Sequence, residues 1–375
     1  MGSGCIRDPM KFIVTSDLHL DTSFSGNGFN PDVGRKLRYS LHQTLLNVVE
    51  LVKTTNADGL LCGGDLYDHD RFSPETATLL RRAFAEIAPK PVYIAPGNQD
   101  FYGPESLYRQ VDWSPNVHIF DSDRLSPVTI RDGLTLWGAA QCRPNGADNF
   151  LRGFHTYRGG VHIGLFHAGA HISAGGQNGD SPRRGIEASE IENAGFHHLF
   201  VGLCHEPRES ARCTYPGNPH PLAFGQNGDR GAVVATISPD GTVQREWRPV
   251  ARFPFHDVEL DITGCMSRAE IRWRLKQALA NLAGLARVTV SGEVPAELDF
   301  NIRDLAEIQH SLEGLLIRIG GIRPRFDVEA IAKETTVRGQ FVRNVLAAGM
   351  DDEKRQRVLM TGLRALEGKR DLEVF

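Results

Sequence analysis

The stretch Phe12-Ile13-Val14-Thr15-Ser16-Asp17-Leu18-His19 decides how this chain is read. A short apolar run suited to a buried strand passes directly into Asp-Leu-His, and the two-residue spacing lets Asp17 and His19 leave an extended backbone on one side. The same device recurs downstream. Gly59–Cys62 reads as a strand and ends in Gly63-Gly64-Asp65-Leu66-Tyr67-Asp68, and Val92–Ala95 is followed by Gly97-Asn98-Gln99-Asp100. Later runs deliver His167 after Leu165-Phe166 and His205 after Gly202-Leu203-Cys204. Open α/β sheets place their ligands at the carboxyl ends of strands, so these residues are expected at one edge. Alone, Asp17 or His19 is more often a surface carboxylate or a hydrogen-bonded histidine. The ordered set of carboxylates, histidines and a neutral Asn98 carbonyl points instead to metal binding.

Between these runs the pattern is helical. Leu37, Leu41, Leu45, Val48, Val49 and Val52 recur at helical spacing within Val33–Lys53, and Ser73-Pro74 opens a second helix over Glu75–Ile87. This alternation predicts a mostly parallel α/β sheet. Strands are also expected at Val117–Phe120, Leu134–Ala139, His162–Phe166 and His198–Val201, with a hairpin of Gly231–Ile237 and Val243–Arg248 around Ser238-Pro239-Asp240-Gly241. The core domain is expected to end near Arg252. Beyond it, strands at Phe255–Ile262, Ala286–Ser291 and Leu315–Ile319 with a helix at Arg268–Leu282 suggest a compact α+β unit, and Asp327–Leu366 reads as helical. At 375 residues the chain exceeds what one core usually organises.

Composition excludes little. Hydrophobic residues make up 41% and charged residues 23%, ordinary for a globular protein and against disorder. A formal charge of −4 does not decide for or against nucleic acid, because a local basic groove can sit on a mildly acidic protein. The six cysteines form no CxxC pair, which predicts reduced thiols rather than a disulfide framework. Met1–Pro9 lacks a long apolar run, and Ile6 stands where a myristoylation signal at Gly2 takes Ser or Thr. The expectation is a cytoplasmic protein without a membrane anchor.

The order of these motifs resembles the calcineurin-like metallophosphoesterases, whose pattern runs Asp-x-His, Gly-Asp-x-x-Asp, Gly-Asn-His-Asp, a lone His, and Gly-His-x-His. Within that superfamily, Ser16–Phe24 and the segment Tyr215-Pro216-Gly217-Asn218-Pro219-His220-Pro221-Leu222-Ala223-Phe224-Gly225, followed by Asp229-Arg230-Gly231, are similar to the SbcD/YhaO type of DNA repair exonuclease. The resemblance implies an α/β fold: a four-layer β-sandwich flanked by helices over 10–252, a small α+β capping domain over 253–325, and a helical tail over 326–375 that docks an SMC-like ABC ATPase. It implies a two-metal site. One cation would be held by Asp17, His19, Asp65 and His205, and the second by Asp65, Asn98, His167 and a histidine whose place is taken here by Leu203. The other departure is Gln99, standing for a histidine that contacts the phosphate and assists the leaving group.

Hard oxygen ligands mixed with imidazole suit Mn2+, with Mg2+ or another divalent ion as an alternative. Leu203 predicts a weaker second cation. Gln99 can hydrogen-bond to phosphate but cannot titrate near neutral pH; Asp68, His69 and His171 are the neighbouring candidates for a catalytic part. The adjacent His197 and His198 are expected to cap or line a strand. Tyr67, Arg71, Phe72, Phe101 and Tyr102 either line a nucleic-acid groove or pack at a loop base. Arg338, Arg343, Lys354, Arg355 and Arg357 alternate with acids, as on a solvated helix face. Three functions stand: a metal-dependent DNA exonuclease or end-processing nuclease, dimeric and partnered by an SbcC-type ATPase as the resemblance implies; a weakened or inactive scaffold binding DNA ends or that ATPase; and a small-molecule phosphodiesterase.

Overall fold

Strand β1 (Met10–Thr15) buries Phe12 and Val14 among one set of apolar side chains and Ile13 among another, so it is covered on both faces. Such strands carry continuous apolar runs rather than alternation. The computed structural model describes residues 8–25, 28, 31–144, 150–157, 159–168, 188–295, 298, 305, 308 and 311–368. His171 and the amino-terminal stretch with Gly2 and Cys5 lie outside them.

Two compact units divide the chain: 1–256 with 283–285, and 257–282 with 286–375. In the first, β1 pairs in parallel with β2 (Gly59–Cys62), which continues through β3 (Val92–Ile94) to β4 (Val117–Ile119). On its other side β1 pairs antiparallel with one arm of the late hairpin, Gly231–Ile237, whose second arm, Val243–Pro249, closes the six-stranded sheet. A second six-stranded sheet is built from β5 (Ser126–Arg131), β6 (Leu134–Gly138), β7 (Val161–His167), β8 (His198–Gly202), β9 (Arg208–Glu209) and β10 (Cys213–Tyr215), in the order β5-β6-β7-β8-β10-β9. The hairpin arms are then β11 and β12. The mostly parallel sheet that the strand–helix alternation predicts is two mixed sheets, as in the β-sandwich that the resemblance implies; β5, β9 and β10 are short or polar and carry too little pattern to register in the sequence.

Phe12, Val14, Leu61, Tyr93 and Val233 of the first sheet meet Leu134, Leu136, Ile163, Leu165 and Phe200 of the second in one buried cluster. The outer face of the first sheet is covered by α1 (Pro31–Thr54) and α2 (Pro74–Ala85), through Leu37, Leu41, Leu45, Leu80 and Phe84. The outer face of the second packs Trp137, Phe166 and Leu199 with Ile191 and Ala194 of α4 (Ala188–Ala194); a short α3 (Leu107–Gln110) lies earlier in the chain. Helix, sheet, sheet, helix is the four-layer α/β order. Helix α2 starts where Ser73-Pro74 indicated: the Ser73 hydroxyl accepts from the Thr76 N–H at 3.2 Å, and proline sits where no intrahelical donor is needed.

In the second unit, β13 (Phe255–Asp261), β14 (Leu285–Pro295) and β15 (Gly314–Arg325) form a three-stranded sheet that packs with α5 (Arg268–Leu279) around Leu260, Ile271, Leu275 and Val288. The carboxy-terminal region forms α6 (Val328–Ala332), α7 (Val337–Ala347) and α8 (Asp352–Leu366), closed around Ile331, Val342, Leu359 and Leu363. Its basic residues pair locally: Arg338 with Glu334, Arg355 with Asp352, and Arg357 with Glu353. Among the described residues no helix is long and apolar enough to cross a membrane, and Cys62, Cys204, Cys213 and Cys265 are free thiols.

Two buried histidines set an acid limit on this fold. In β8, His198 Nε2 meets Thr214 Oγ1 at 2.9 Å, and burial, helped by Arg245, lowers its pKa to about 3. His220 lies between Ser40 Oγ and the Pro221 carbonyl, both at 2.7 Å, and burial lowers it to about 4 against the pull of that carbonyl. Both stay neutral when folded, while the unfolded chain takes up protons below the ordinary 6.5. Their stabilising contribution is therefore full above about pH 6.5 and is lost as the pH falls toward these folded values. The destabilisation caused by His220→Gln, measured by urea unfolding, should shrink by about 2 kcal/mol between pH 7 and pH 5. A pH-independent difference would show that His220 is not held neutral.

Candidate metal centre

Parallel pairing aligns Thr15 with Cys62, Cys62 with Ile94, and His167 with Gly202. The loops after β1, β2 and β3 therefore leave the first sheet together and those after β7 and β8 the second, and the His167–Gly63 contact joins the two sets. The first two run side by side: Asp17, His19 and Leu20 donate backbone N–H bonds to the carbonyls of Gly64, Asp65 and Leu66 at 2.9, 3.0 and 3.1 Å. To turn this sharply, Asp17, His19 and Asp65 adopt left-handed φ angles of 55°, 45° and 51°, a conformation side-chain-bearing residues rarely take and functional sites often hold. At Gly97 a side chain is excluded, since a Cβ would fall 2.7 Å from His167 Nδ1 and against Asp65 Oδ1.

Asp100 ties the loops together. Its carboxylate accepts from Asp65 N at 3.0 Å, Leu66 N at 2.8 Å, Gly97 N at 2.6 Å and Tyr108 Oη at 2.5 Å. Burial raises its pKa, yet a proton on either oxygen would face a donor, so four donors hold the carboxylate ionised.

Around this frame, potential ligand atoms of Asp17, His19 and His205 lie within 4.8 Å of one another, as do those of Asp17, Asp65 and His167. His19 Nδ1 lies 2.8 Å from Asp68 Oδ1, so Nδ1–H donates to it, and Nε2 is left buried without a hydrogen-bond partner, 3.7 Å from Asp65 Oδ2. His167 Nδ1–H donates to the Gly63 carbonyl at 2.8 Å, and its Nε2 points at Asn98 Oδ1 at 3.0 Å and Asp65 Oδ2 at 3.4 Å. Ligating histidines habitually use one ring N–H on a carboxylate or carbonyl and present the other nitrogen to the metal. Lone pairs that converge in this way need a positive centre among them. The donor set therefore fits a divalent cation at Asp17, His19 and Asp65, and another at Asp65, Asn98 and His167.

Charge balance supports that fit. Burial opposes a charge on His19, but the Asp68 hydrogen bond and the carboxylates of Asp65, Asp17 and Asp68 outweigh it and raise the pKa from 6.5 to about 9. Burial raises Asp65 to about 6, with Asp100 and Asp17 adding to it while His167 and His19 oppose. Protons thus occupy positions a cation would take.

The structure also places the remaining candidates. Asp68 is buried, accepts from His19 Nδ1 and lies 3.3 Å from Arg71. Gln99 is exposed, and its backbone N–H donates to Asp65 Oδ1 at 2.8 Å. The His69 ring packs tilted against Phe101, centroids 4.3 Å apart, and its backbone N–H donates to the Gln99 carbonyl at 2.8 Å. Tyr67 is fully buried, its hydroxyl on Ser106 and Leu107, which is packing rather than a groove wall. His197 Nδ1 accepts from His162 N at 3.1 Å, and its own N–H donates to the His162 carbonyl; His197 and His198 belong to strand closure. Leu203, at φ 103°, offers no ligand but donates its N–H to both Asp17 oxygens at 3.2 Å. Residues not assigned from sequence complete the shell: Gln141 Nε2 donates to the His167 carbonyl at 2.9 Å, and Asn218, Gln226 and Arg230 surround His205. The signals for Asn218 and Arg230 were the Tyr215–Gly225 segment and the Asp229-Arg230-Gly231 that follows it, recognisable as units but not residue by residue; Gln226 lies between them and carried none.

Residues 10–195 match the family described as calcineurin-like phosphoesterase. Among solved structures, the protein TT1561 of Thermus thermophilus is similar at a TM-score of 0.40 and 14% identity, over 64% of this chain and 98% of that one. YfcE, a phosphoesterase from E. coli, matches at a TM-score of 0.28 and 15% identity, over 64% and 99%. No curated protein matches the sequence.

Two outcomes follow from this geometry. Asp100→Asn turns an amide N–H₂ toward donors and should lower unfolding free energy by about 3 kcal/mol in urea titrations; a loss below about 1 kcal/mol would show the loops do not depend on it. A cation must displace the His19 proton below pH 9, so Mn2+ affinity by calorimetry should rise about tenfold per pH unit from pH 7 to 9. Flat affinity over that range would remove His19 from the ligand set.

Proposed function

We propose that this chain, whose residues 10–195 match the calcineurin-like phosphoesterases, is a Mn2+-dependent DNA phosphodiesterase of the SbcD type, an exonuclease or end-processing nuclease. The observation that carries the hydrolytic part is the convergence of His19 Nε2, His167 Nε2, Asp17, Asp65 and Asn98 from loops of both sheets. Phosphoester hydrolysis needs charge stabilisation on the phosphoryl oxygens and an activated water, and paired divalent cations supply both when bound. The chain's own residues hold that apparatus. Asp17, His19 and Asp65 bind one cation; Asp65, Asn98 and His167 bind the other; Asp68 fixes the His19 tautomer and the Gly63 carbonyl fixes that of His167. Gln99, exposed beside Asp65, donates from its side-chain amide to a phosphate oxygen and leaves proton delivery to solvent or a neighbour.

DNA as substrate rests on the sequence of Ser16–Phe24 and Tyr215–Gly225, and on an α+β unit followed by a helical region, the order in which SbcD-type nucleases carry a capping domain and an ATPase-docking tail. A homodimer with an SMC-like ATPase is part of the same reading. The specific observation favouring a weakened or scaffold protein is Leu203, which leaves the second cation with Asp65, Asn98 and His167 alone. Loss of a ligand lowers affinity without removing the site.

Cleavage of end-labelled linear double- and single-stranded DNA with millimolar Mn2+ tests this, beside Asp65→Ala and bis(p-nitrophenyl) phosphate as a generic diester. Cutting of DNA reduced at least about a hundredfold in the variant supports the nuclease. Hydrolysis of the diester without DNA cleavage moves the substrate to a small molecule, and inactivity on both, with the ATPase present, leaves the scaffold.

A further inference from the structure

His205 differs from the other two histidines in what faces its outer ring nitrogen. His19 and His167 each turn one nitrogen to an oxygen acceptor, Asp68 Oδ1 and the Gly63 carbonyl. Facing His205 Nδ1 at 3.2 Å is the amide nitrogen of Gln226. The polarity of that contact is settled by a chain of groups whose roles are not interchangeable. Arg230 can only donate, and its Nη1 lies 2.8 Å from Asn218 Oδ1, so that atom is the Asn218 oxygen. Asn218 Nδ2 then donates to Gln226 Oε1 at 2.7 Å and to the His220 carbonyl at 2.8 Å. The backbone N–H of Leu222, also only a donor, reaches the same Gln226 oxygen at 2.8 Å. Two independent donors thus fix Gln226 Oε1, and Gln226 Nε2–H must point at His205 Nδ1.

A proton on Nδ1 would oppose that N–H. The ring proton is therefore on Nε2, the nitrogen 3.8 Å from Asp17 Oδ1 and facing the metal centre. A protonated nitrogen has no lone pair for a cation, and freeing it would require the ring to change tautomer against Gln226. The His205 backbone is held by the same relay, its carbonyl accepting from Asn218 N at 3.1 Å and from Arg230 Nη1. The side chain remains 37% exposed, so an incoming oxygen can reach it.

We infer that Arg230, Asn218 and Gln226 lock His205 with its proton on Nε2, making it a hydrogen-bond donor to a non-bridging phosphate oxygen rather than a ligand of the first cation. This rests on the metal-centre reading above for the cation and phosphate, while the tautomer stands independently. Gln99 replaces a titratable residue in the resembled pattern, and His205 supplies an imidazole N–H from the opposite loop. Asn218, Gln226 and Arg230 are positioning residues.

The tautomer is read directly by long-range proton–nitrogen correlation on metal-free protein labelled with 15N-histidine, the His205 signals being assigned by their loss in His205→Gln. A pyrrole-type Nε2 and a pyridine-type Nδ1 are expected; the reverse pattern overturns the inference. Calorimetry with Mn2+ should find His205→Gln within about threefold of the parent, His19→Gln weakened at least about tenfold, and Gln226→Glu tightened about tenfold, because a carboxylate accepts from Nδ1–H and releases Nε2 to the cation. Inorganic phosphate binding to the Mn2+-loaded protein should weaken about tenfold in His205→Gln. Equal loss of Mn2+ affinity in His205→Gln and His19→Gln overturns the donor role, whereas unchanged affinity in His19→Gln defeats the metal-centre reading itself and leaves the relay to stand or fall on the nitrogen spectrum.

Discussion

Asp100 offers nothing to a cation, yet its buried carboxylate gathers the N–H groups of Asp65, Leu66 and Gly97 and the hydroxyl of Tyr108 around one charge, binding the loop after β2 to the loop after β3. The backbone of Asp65 is therefore held at a left-handed φ by a bond to its own N–H. Its side chain is steadied in turn by the N–H of Gln99. An anion satisfied by several donors resists both protonation and movement, and that rigidity passes to the Asp65 carboxylate.

From that anchor the site propagates across both sheets. The loop after β1 pairs its backbone to the loop after β2, bringing Asp17 and His19 with it. The second sheet reaches the same place through β7, whose His167 uses Nδ1 on Gly63, a residue of the first sheet's loop. Close approach forbids side chains at this junction: a Cβ on Gly64 would fall 2.6 Å from Gly97 N and 2.8 Å from His167 Nδ1. Interdigitating apolar faces set the sheet separation, and the histidine bridge is possible because that separation is fixed.

The electrostatics of the centre are arranged for a guest. Buried carboxylates and inward nitrogens lacking donors are costly alone, and His19 responds by holding a proton to about pH 9. The loops that carry these side chains are thus organised by hydrogen bonds on the side away from the converging lone pairs. His205 has a different outer partner, and the difference lies in whether an oxygen or an amide nitrogen meets its ring.

Much of this was legible in the amino-acid sequence alone. Apolar runs ending in Asp17, His19, Asp65, Asn98, His167 and His205 marked strand ends, because buried parallel strands are written as short continuous apolar segments and their polar exits interrupt them. Helical periodicity located α1, and Ser73-Pro74 located the start of α2. What only the tertiary structure decided was the strand order within the two sheets, the joining of loops by Asp100, and the direction of the hydrogen bonds around the histidines. Gln226 lies 21 residues from His205, and Asp100 lies 35 from Asp65. Contacts at such separations leave no local period to read. Whether an imidazole presents a lone pair or a proton is set by the atom opposite its other nitrogen, and that atom is chosen by the fold.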